Sequence, residues 1–146
     1  MIDVLIIGCG VTGAACAYTL ARYDLRVAVL EAGSDVAVGT SRANSAIIHA
    51  GYDPAPGTDM ARLNVRGAAL APEICARLDV PYLPCGSMVL AFDEGDRAHL
   101  QKLYDRGCAN GVPGLEILSG EEARAREPEL AETVVAALWA PSAGII

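Results

Sequence analysis

Aliphatic side chains in this sequence come in short dense runs separated by small and polar residues, and the runs change period along the chain. Residues 2–7 (IDVLII) are continuously apolar up to Gly8, the pattern of a strand buried on both faces. Residues 11–23 (VTGAACAYTLARY) follow with small residues and helix formers, and 26–31 (RVAVLE) is a second aliphatic run. Strand, glycine turn, helix and strand over about 30 residues make a βαβ unit with a right-handed crossover. Gly, Ser, Thr and Asn then dominate from Ala32 to Ser45 without a period, which predicts a loop. Ile47 to Tyr52 returns as an apolar strand carrying one imidazole, His49. Between Thr58 and Leu78 the positions Met60, Leu63, Leu70, Ile74 and Leu78 mark one apolar helix face, with Arg62, Arg66, Glu73 and Arg77 on the other. Val80-Pro81 ends that helix, and Ser87 to Phe92 reads as a strand. Asp93 caps a helix over 95–109 that Asn110-Gly111 terminates in left-handed fashion. Leu115 to Leu118 is a short strand, Ser119 with Glu122 forms a capping-box pattern before a small helix that stops ahead of Pro128, and Thr133 to Ala140 is a last strand.

Composition narrows the picture. The chain has 146 residues, 53% hydrophobic and 20% charged, which supplies a core and excludes disorder as the main state. No apolar run approaches the roughly 20 residues that cross a bilayer. Asp3 stands where a basic leader region would lie, so the expected location is cytoplasmic, with peripheral membrane association left open. The net charge is -7, and ten arginines plus Lys102 are scattered rather than striped, which argues against nucleic acid as a partner. Cys9, Cys16, Cys75, Cys85 and Cys108 contain no C-x-x-C pair and suggest neither a disulfide framework nor a zinc or other metal site. They are expected to be mostly buried small apolar residues.

Gly8-Cys9-Gly10-Val11-Thr12-Gly13 is a G-x-G-x-x-G that follows one strand directly and opens a helix. Ala17 stands four residues after Gly13, and Glu31 ends the next strand 18 residues after it. That context, with an acid near the expected offset of about 20, marks a dinucleotide fingerprint. Gly8 permits the tight turn, Gly10 leaves room for a pyrophosphate, and Gly13 with Ala17 lets the helix lie close to the sheet. The helix start, at Val11 and Thr12, offers N–H groups and a partial positive charge to the diphosphate. Glu31 can accept both hydroxyls of an adenosine ribose and would repel a 2′-phosphate. The competing reading is a glycine turn that binds nothing, with Glu31 a solvated strand end.

The fingerprint does not choose between NAD and FAD; the following loop is more informative. Gly39-Thr40-Ser41-Arg42-Ala43-Asn44-Ser45 brings small hydroxyl and amide groups just after the ribose-binding strand, suited to a second phosphate and to ribityl oxygens. A plain helix-capping loop would have the same residues. Gly51 would let backbone approach a flat ring.

The block GTSRANSAIIHAGYDPAPGTDMARLNVRG, with the fingerprint before it and NGVPGLEILSGEEARAREPEL and WAPSAGII after it, resembles the N-terminal part of FAD-dependent oxidoreductases of the D-amino-acid oxidase superfamily. Within that superfamily it is most similar to the glycerol-3-phosphate dehydrogenases of the A type, with the L-2-hydroxyglutarate dehydrogenases near. The resemblance implies an α/β fold: a Rossmann-like βαβ of glutathione-reductase type that binds FAD, followed by the beginning of an α+β substrate domain. It implies a first FAD segment over residues 1–80 and the start of the substrate domain over 81–146. Glu31 would hold the ribose, Thr40 and Ser41 the pyrophosphate side, and Asn44, Ser45, His49 and Gly51 would lie toward the flavin. Membrane-type glycerol-3-phosphate dehydrogenases carry an arginine shortly after the His-x-Gly, whereas Tyr52-Asp53-Pro54 follows here, so phosphate recognition does not carry over to this stretch.

The implied reaction oxidises a secondary alcohol, glycerol 3-phosphate first and L-2-hydroxyglutarate second, by hydride transfer to flavin, with electrons passed to an acceptor or to a partner protein. Three roles stand open for His49: base for the hydroxyl proton, contact to the flavin edge, or packing. His99 is expected to be solvated and Trp139 to be core. Two other readings remain, an NAD-linked dehydrogenase and a truncated, non-catalytic dinucleotide-binding piece. Members of the resembling family are several times longer, so part of the apolar content is expected at the surface, together with poor solubility.

Overall fold

β1 (Val4–Ile7) and β2 (Val27–Leu30) are the two aliphatic runs that flank the glycine turn, and they pair in parallel with Val4 opposite Val27 and Ile7 opposite Leu30. The computed structural model describes residues 1–146, which divide into two units, Met1–Ser45 and Ala46–Ile146. In the first unit α1 (Val11–Leu20) connects the two strands, as a βαβ unit requires. Asp3 locks the start of the pair: its carboxylate accepts from the Arg26 backbone amide at 2.9 Å and from the guanidinium at 2.9 and 3.0 Å. That bidentate pairing holds the Asp3 carboxyl below its ordinary range. The unit is thin. No residue of α1 is buried, Val4 and Ile6 are half-buried, and Ile7 is 82% exposed.

The second unit holds β3 (Ile47–Ile48), α2 (Asp59–Arg77), β4 (Ser87–Ala91), α3 (Glu94–Asn110), β5 (Glu116–Ser119), α4 (Gly120–Arg126), β6 (Ala136–Ala140) and β7 (Gly144–Ile145). Antiparallel pairing orders one sheet β4-β6-β5, and β3 pairs with β7 in a separate ladder. Alternation along β6 separates two cores. Ala136, Leu138 and Ala140 join Leu100 and Leu103 of α3 in the larger one, while Ala137 joins Leu118 of β5 and Ala123 of α4 in the smaller, with Met88, Leu90 and Trp139 partly buried against it. Trp139 thus packs as expected, and His99 is exposed as expected.

Each helix of this unit starts where its capping residue stands. Thr58 accepts from the Ala61 amide at 3.2 Å and Asp93 from the Asp96 amide at 2.9 Å. Ser119 accepts from the Glu122 amide at 3.2 Å while Glu122 accepts from the Ser119 amide at 2.8 Å, closing the capping box. Gly111, at φ 78°, ends α3 as the Asn-Gly pair predicts.

Three expectations are corrected. The buried stripe of α2 is Ala61, Ala68, Ala71 and Cys75, whereas Met60 and Leu63 are 70% and 53% exposed; small side chains let this helix approach its neighbours closely, and the large aliphatic ones lie on the adjacent, uncovered face. The strand expected over 47–52 pairs only at Ile47 and Ile48, because its partner β7 is two residues long and Gly51, at φ 104°, turns the backbone. Of the cysteines only Cys75 is buried: Cys16 and Cys108 lie on uncovered helix faces, Cys85 in the loop before β4, and Cys9 is partly covered in the glycine turn.

Candidate functional site

In the first unit the fingerprint residues meet at the carboxyl end of β1. Gly8 takes φ 94°, a conformation other residues rarely adopt, and a Cβ on Gly13 would stand 2.0 Å from the Gly8 carbonyl oxygen, so this position of α1 accepts no side chain. A Cβ on Gly10 would meet Ser41 Oγ at 3.0 Å. Ser41 is there because its hydroxyl accepts from the Val11 amide at 2.8 Å, supplying a cap for α1 from 30 residues away. The amides of Thr12 and Gly13, next in the first turn, have no acceptor within the helix and point with its positive end.

Glu31 lies just beyond β2, and its carboxylate is tied into the turn. Oε2 accepts from the Cys9 amide at 2.7 Å and Oε1 from the Gly33 amide at 2.8 Å. These backbone donors, Gly33 first and then Cys9, hold its carboxyl below the ordinary glutamate range. Each oxygen retains a lone pair able to accept from a ribose hydroxyl. The loop after β2 folds back on the same turn: the Ala37 amide donates to the Cys9 carbonyl at 3.0 Å. Thr40 accepts through its carbonyl from the Ala43 amide, and Asn44 donates its side-chain amide to the Ser41 carbonyl. Thr40, Asn44 and Ser45 are exposed. The donor set suits a dinucleotide: a glycine turn, two first-turn amides for a diphosphate, and an ionised carboxylate for a ribose.

In the second unit, His49 lines an open pocket of about 430 Å³ with Gly51 to Pro54, Asn64 of α2 and Leu103 of α3. Gly51 is buried, and the space a Cβ would need is filled by Val65 Cγ2 at 2.7 Å and Asn64 Oδ1 at 3.2 Å. Close packing on α2 is therefore a demand on this glycine that the sequence alone did not reveal. The last turns of α3 hold the same segment from another side. Asn110 Nδ2 donates to the carbonyls of Gly51 and Pro54, both at 2.9 Å, and the Arg106 guanidinium donates to the Asp53 carbonyl. Asn64 Oδ1 and Asn110 Oδ1 are both buried without a partner.

The structure thus ties Glu31 to Cys9 and Ser41 to Val11 by hydrogen bonds at the turn formed by Gly8, Gly10, Thr12 and Gly13, and sets His49 and Gly51 on a pocket of the second unit. Asn64, Arg106 and Asn110 were not anticipated. The Asn-Gly pair at 110–111 carries a strong helix-end signal, and that signal masked the contact to a loop more than 50 residues earlier.

Residues 3–146 match the family of FAD dependent oxidoreductases, DAO. The chain belongs to that family. It is 47% identical over 146 residues to a glycerol 3-phosphate dehydrogenase of Caloramator mitchellensis, matching 100% of this chain and 30% of that protein. It is 36% identical over 128 residues to the mitochondrial L-2-hydroxyglutarate dehydrogenase of Homo sapiens, matching 86% of this chain and 28% of the relative. Among solved structures, it superposes with a TM-score of 0.90 and 35% identity on the dithionite-reduced L-alpha-glycerophosphate oxidase of Mycoplasma pneumoniae with FAD bound, over 99% of this chain and 38% of that one. The α/β fold and the FAD-dependent family read from the sequence are those found. The chain spans about a third of the relatives it matches, and no helix in it is long and apolar enough to cross a membrane.

Proposed function

We propose that the chain contributes the adenosine end and part of the flavin surround of an FAD-dependent dehydrogenase that oxidises a secondary alcohol, with glycerol 3-phosphate the first substrate and L-2-hydroxyglutarate the second. The observation that carries the reading is the Glu31 carboxylate, fastened by the Cys9 amide inside the glycine turn, so that an acid and free helix amides share one site. In this reading Glu31 accepts from the ribose hydroxyls, while Thr12 and Gly13 amides with Thr40 and Ser41 hold the diphosphate. Asn44, Ser45 and Gly51 belong toward the flavin. FAD, when bound, supplies the acceptor for the hydride lost by the alcohol carbon.

Of the two imidazoles in the second unit, His49 is the one on the pocket, and in this reading one of its ring nitrogens takes the hydroxyl proton as the alcohol becomes a ketone. Residues 1–80 are assigned to the first segment of the FAD domain and 81–146 to the start of the substrate domain. The relatives named glycerol 3-phosphate dehydrogenase and L-2-hydroxyglutarate dehydrogenase support the two substrates in that order.

The test is an assay of the protein with an artificial electron acceptor. Turnover of glycerol 3-phosphate supports the first substrate and turnover of L-2-hydroxyglutarate the second. Turnover of amino acids alone would overturn both, and a colourless protein that binds NADH would overturn the cofactor.

A further inference from the structure

We propose that Asn110, the last residue of α3, is a positioning residue for His49; the inference rests on the proposed role of His49. His49 is itself exposed, and its placement depends on the backbone to either side of it. Before it, Ile47 and Ile48 are fixed by pairing with Ile145 and Gly144. After it, Ala50 is fully buried and Gly51 is wedged against Val65 and Asn64. The chain then turns through Tyr52 to Pro54, and Asn110 spans that turn with two donors, one to each end.

Two features separate this from ordinary helix capping. Gly111 and Val112 complete the end of α3 without the Asn110 side chain, through their amides to the carbonyls of Cys108 and Gly107, each at 3.0 Å. The Asn110 amide is also used one-sidedly: both bonds come from Nδ2, while Oδ1 is buried with no partner. A buried idle acceptor is unfavourable, and what the position gains in return is a double donor aimed at the turn after His49. Arg106 adds to the same clamp from one helical turn earlier, donating to the Asp53 carbonyl. Gly107 lets α3 come close enough, since a Cβ there would lie 2.9 Å from Tyr52 Cβ and 2.3 Å from Leu115 Cδ1.

The experiment records the imidazole proton and carbon signals of the 146-residue chain by NMR, without FAD. With only two histidines, the exposed His99 serves as an internal reference. Asn110→Leu keeps the shape but removes both donors, Asn110→Ser keeps a single donor, and Leu118→Ala destabilises the separate smaller core as a control. The proposal expects one sharp His49 signal in the native chain, at least a twofold broadening or a splitting in Asn110→Leu, an intermediate effect in Asn110→Ser, and no effect in Leu118→Ala. A His49 signal unchanged in a folded Asn110 variant would overturn it, and Asn110→Ser decides if Asn110→Leu does not fold. An equal broadening in Leu118→Ala would also overturn it. Adding FAD to the native chain separates the two claims: a His49 signal that ignores FAD sinks the flavin reading and leaves the clamp intact.

Discussion

Glu31 is where sequence, geometry and proposed chemistry meet in a single side chain. Its ordinary pKa is about 4.5, and backbone donors from Gly33 and Cys9 lower it in the folded chain. A carboxyl whose folded value is depressed stabilises the fold above its unfolded value and loses that contribution as the pH falls toward the folded value. Thermal melts between about pH 5 and pH 3 should therefore fall less steeply for Glu31→Gln than for the native chain; equal slopes would mean that the two amide bonds are not kept in solution. Glu31→Ala should weaken FAD binding roughly tenfold to a hundredfold, the loss expected for removing hydrogen bonds to a charged group, as read by quenching of flavin fluorescence. Glu31 and the three glycines were legible because a glycine turn and an acid at a fixed offset are local signals. Ser41 was legible as a polar loop residue, although its hydroxyl serves the Val11 amide directly. Asn110 was legible only as a helix end, because its partners Gly51 and Pro54 lie 59 and 56 residues away and nothing in local periodicity reports such a contact.

At the level of elements, caps and strand runs were readable and faces were not. Asp93, Ser119 and Gly111 each sit at an element end in the positions their chemistry predicts. Ser119→Ala should lower stability by about 1 kcal/mol, measured by denaturant titration. The period of α2 was correctly read from Met60, Leu63 and Leu70, yet hydropathy favours the largest aliphatic residues and ranks an alanine stripe as neutral. Ala61, Ala68 and Ala71 are nevertheless the residues covered, since close approach of backbones selects small side chains. Ala68→Leu should therefore cost about 1–3 kcal/mol through overpacking, while Leu63→Ser should stay within about 0.5 kcal/mol. The reverse ranking would restore the large aliphatic residues as the packed face. β7, with two residues, is too short to leave any pattern.

On the scale of the whole chain, the two units differ in what holds them. Ala46–Ile146 contains fully buried Leu100, Val134 and Leu138, whereas Met1–Ser45 has a two-stranded sheet with Leu5 and Ile7 exposed and a helix with no buried residue. Backbone amides of β1 and α1 should exchange at least tenfold faster than those of β6, and FAD should slow the first set selectively. The expected exposure of apolar residues is present in both units, as at Ile7 and Met60. The claim on which the rest depends is that the glycine turn with Glu31 forms a dinucleotide site suited to FAD. Equilibrium dialysis of the 146-residue chain against FAD tests it most directly, with ADP and NADH as competitors and Glu31→Ala alongside. Saturable FAD binding, displaced by ADP, little affected by NADH and weakened at least tenfold in Glu31→Ala, is the predicted result; no FAD binding, or binding that Glu31→Ala leaves unchanged, would contradict it.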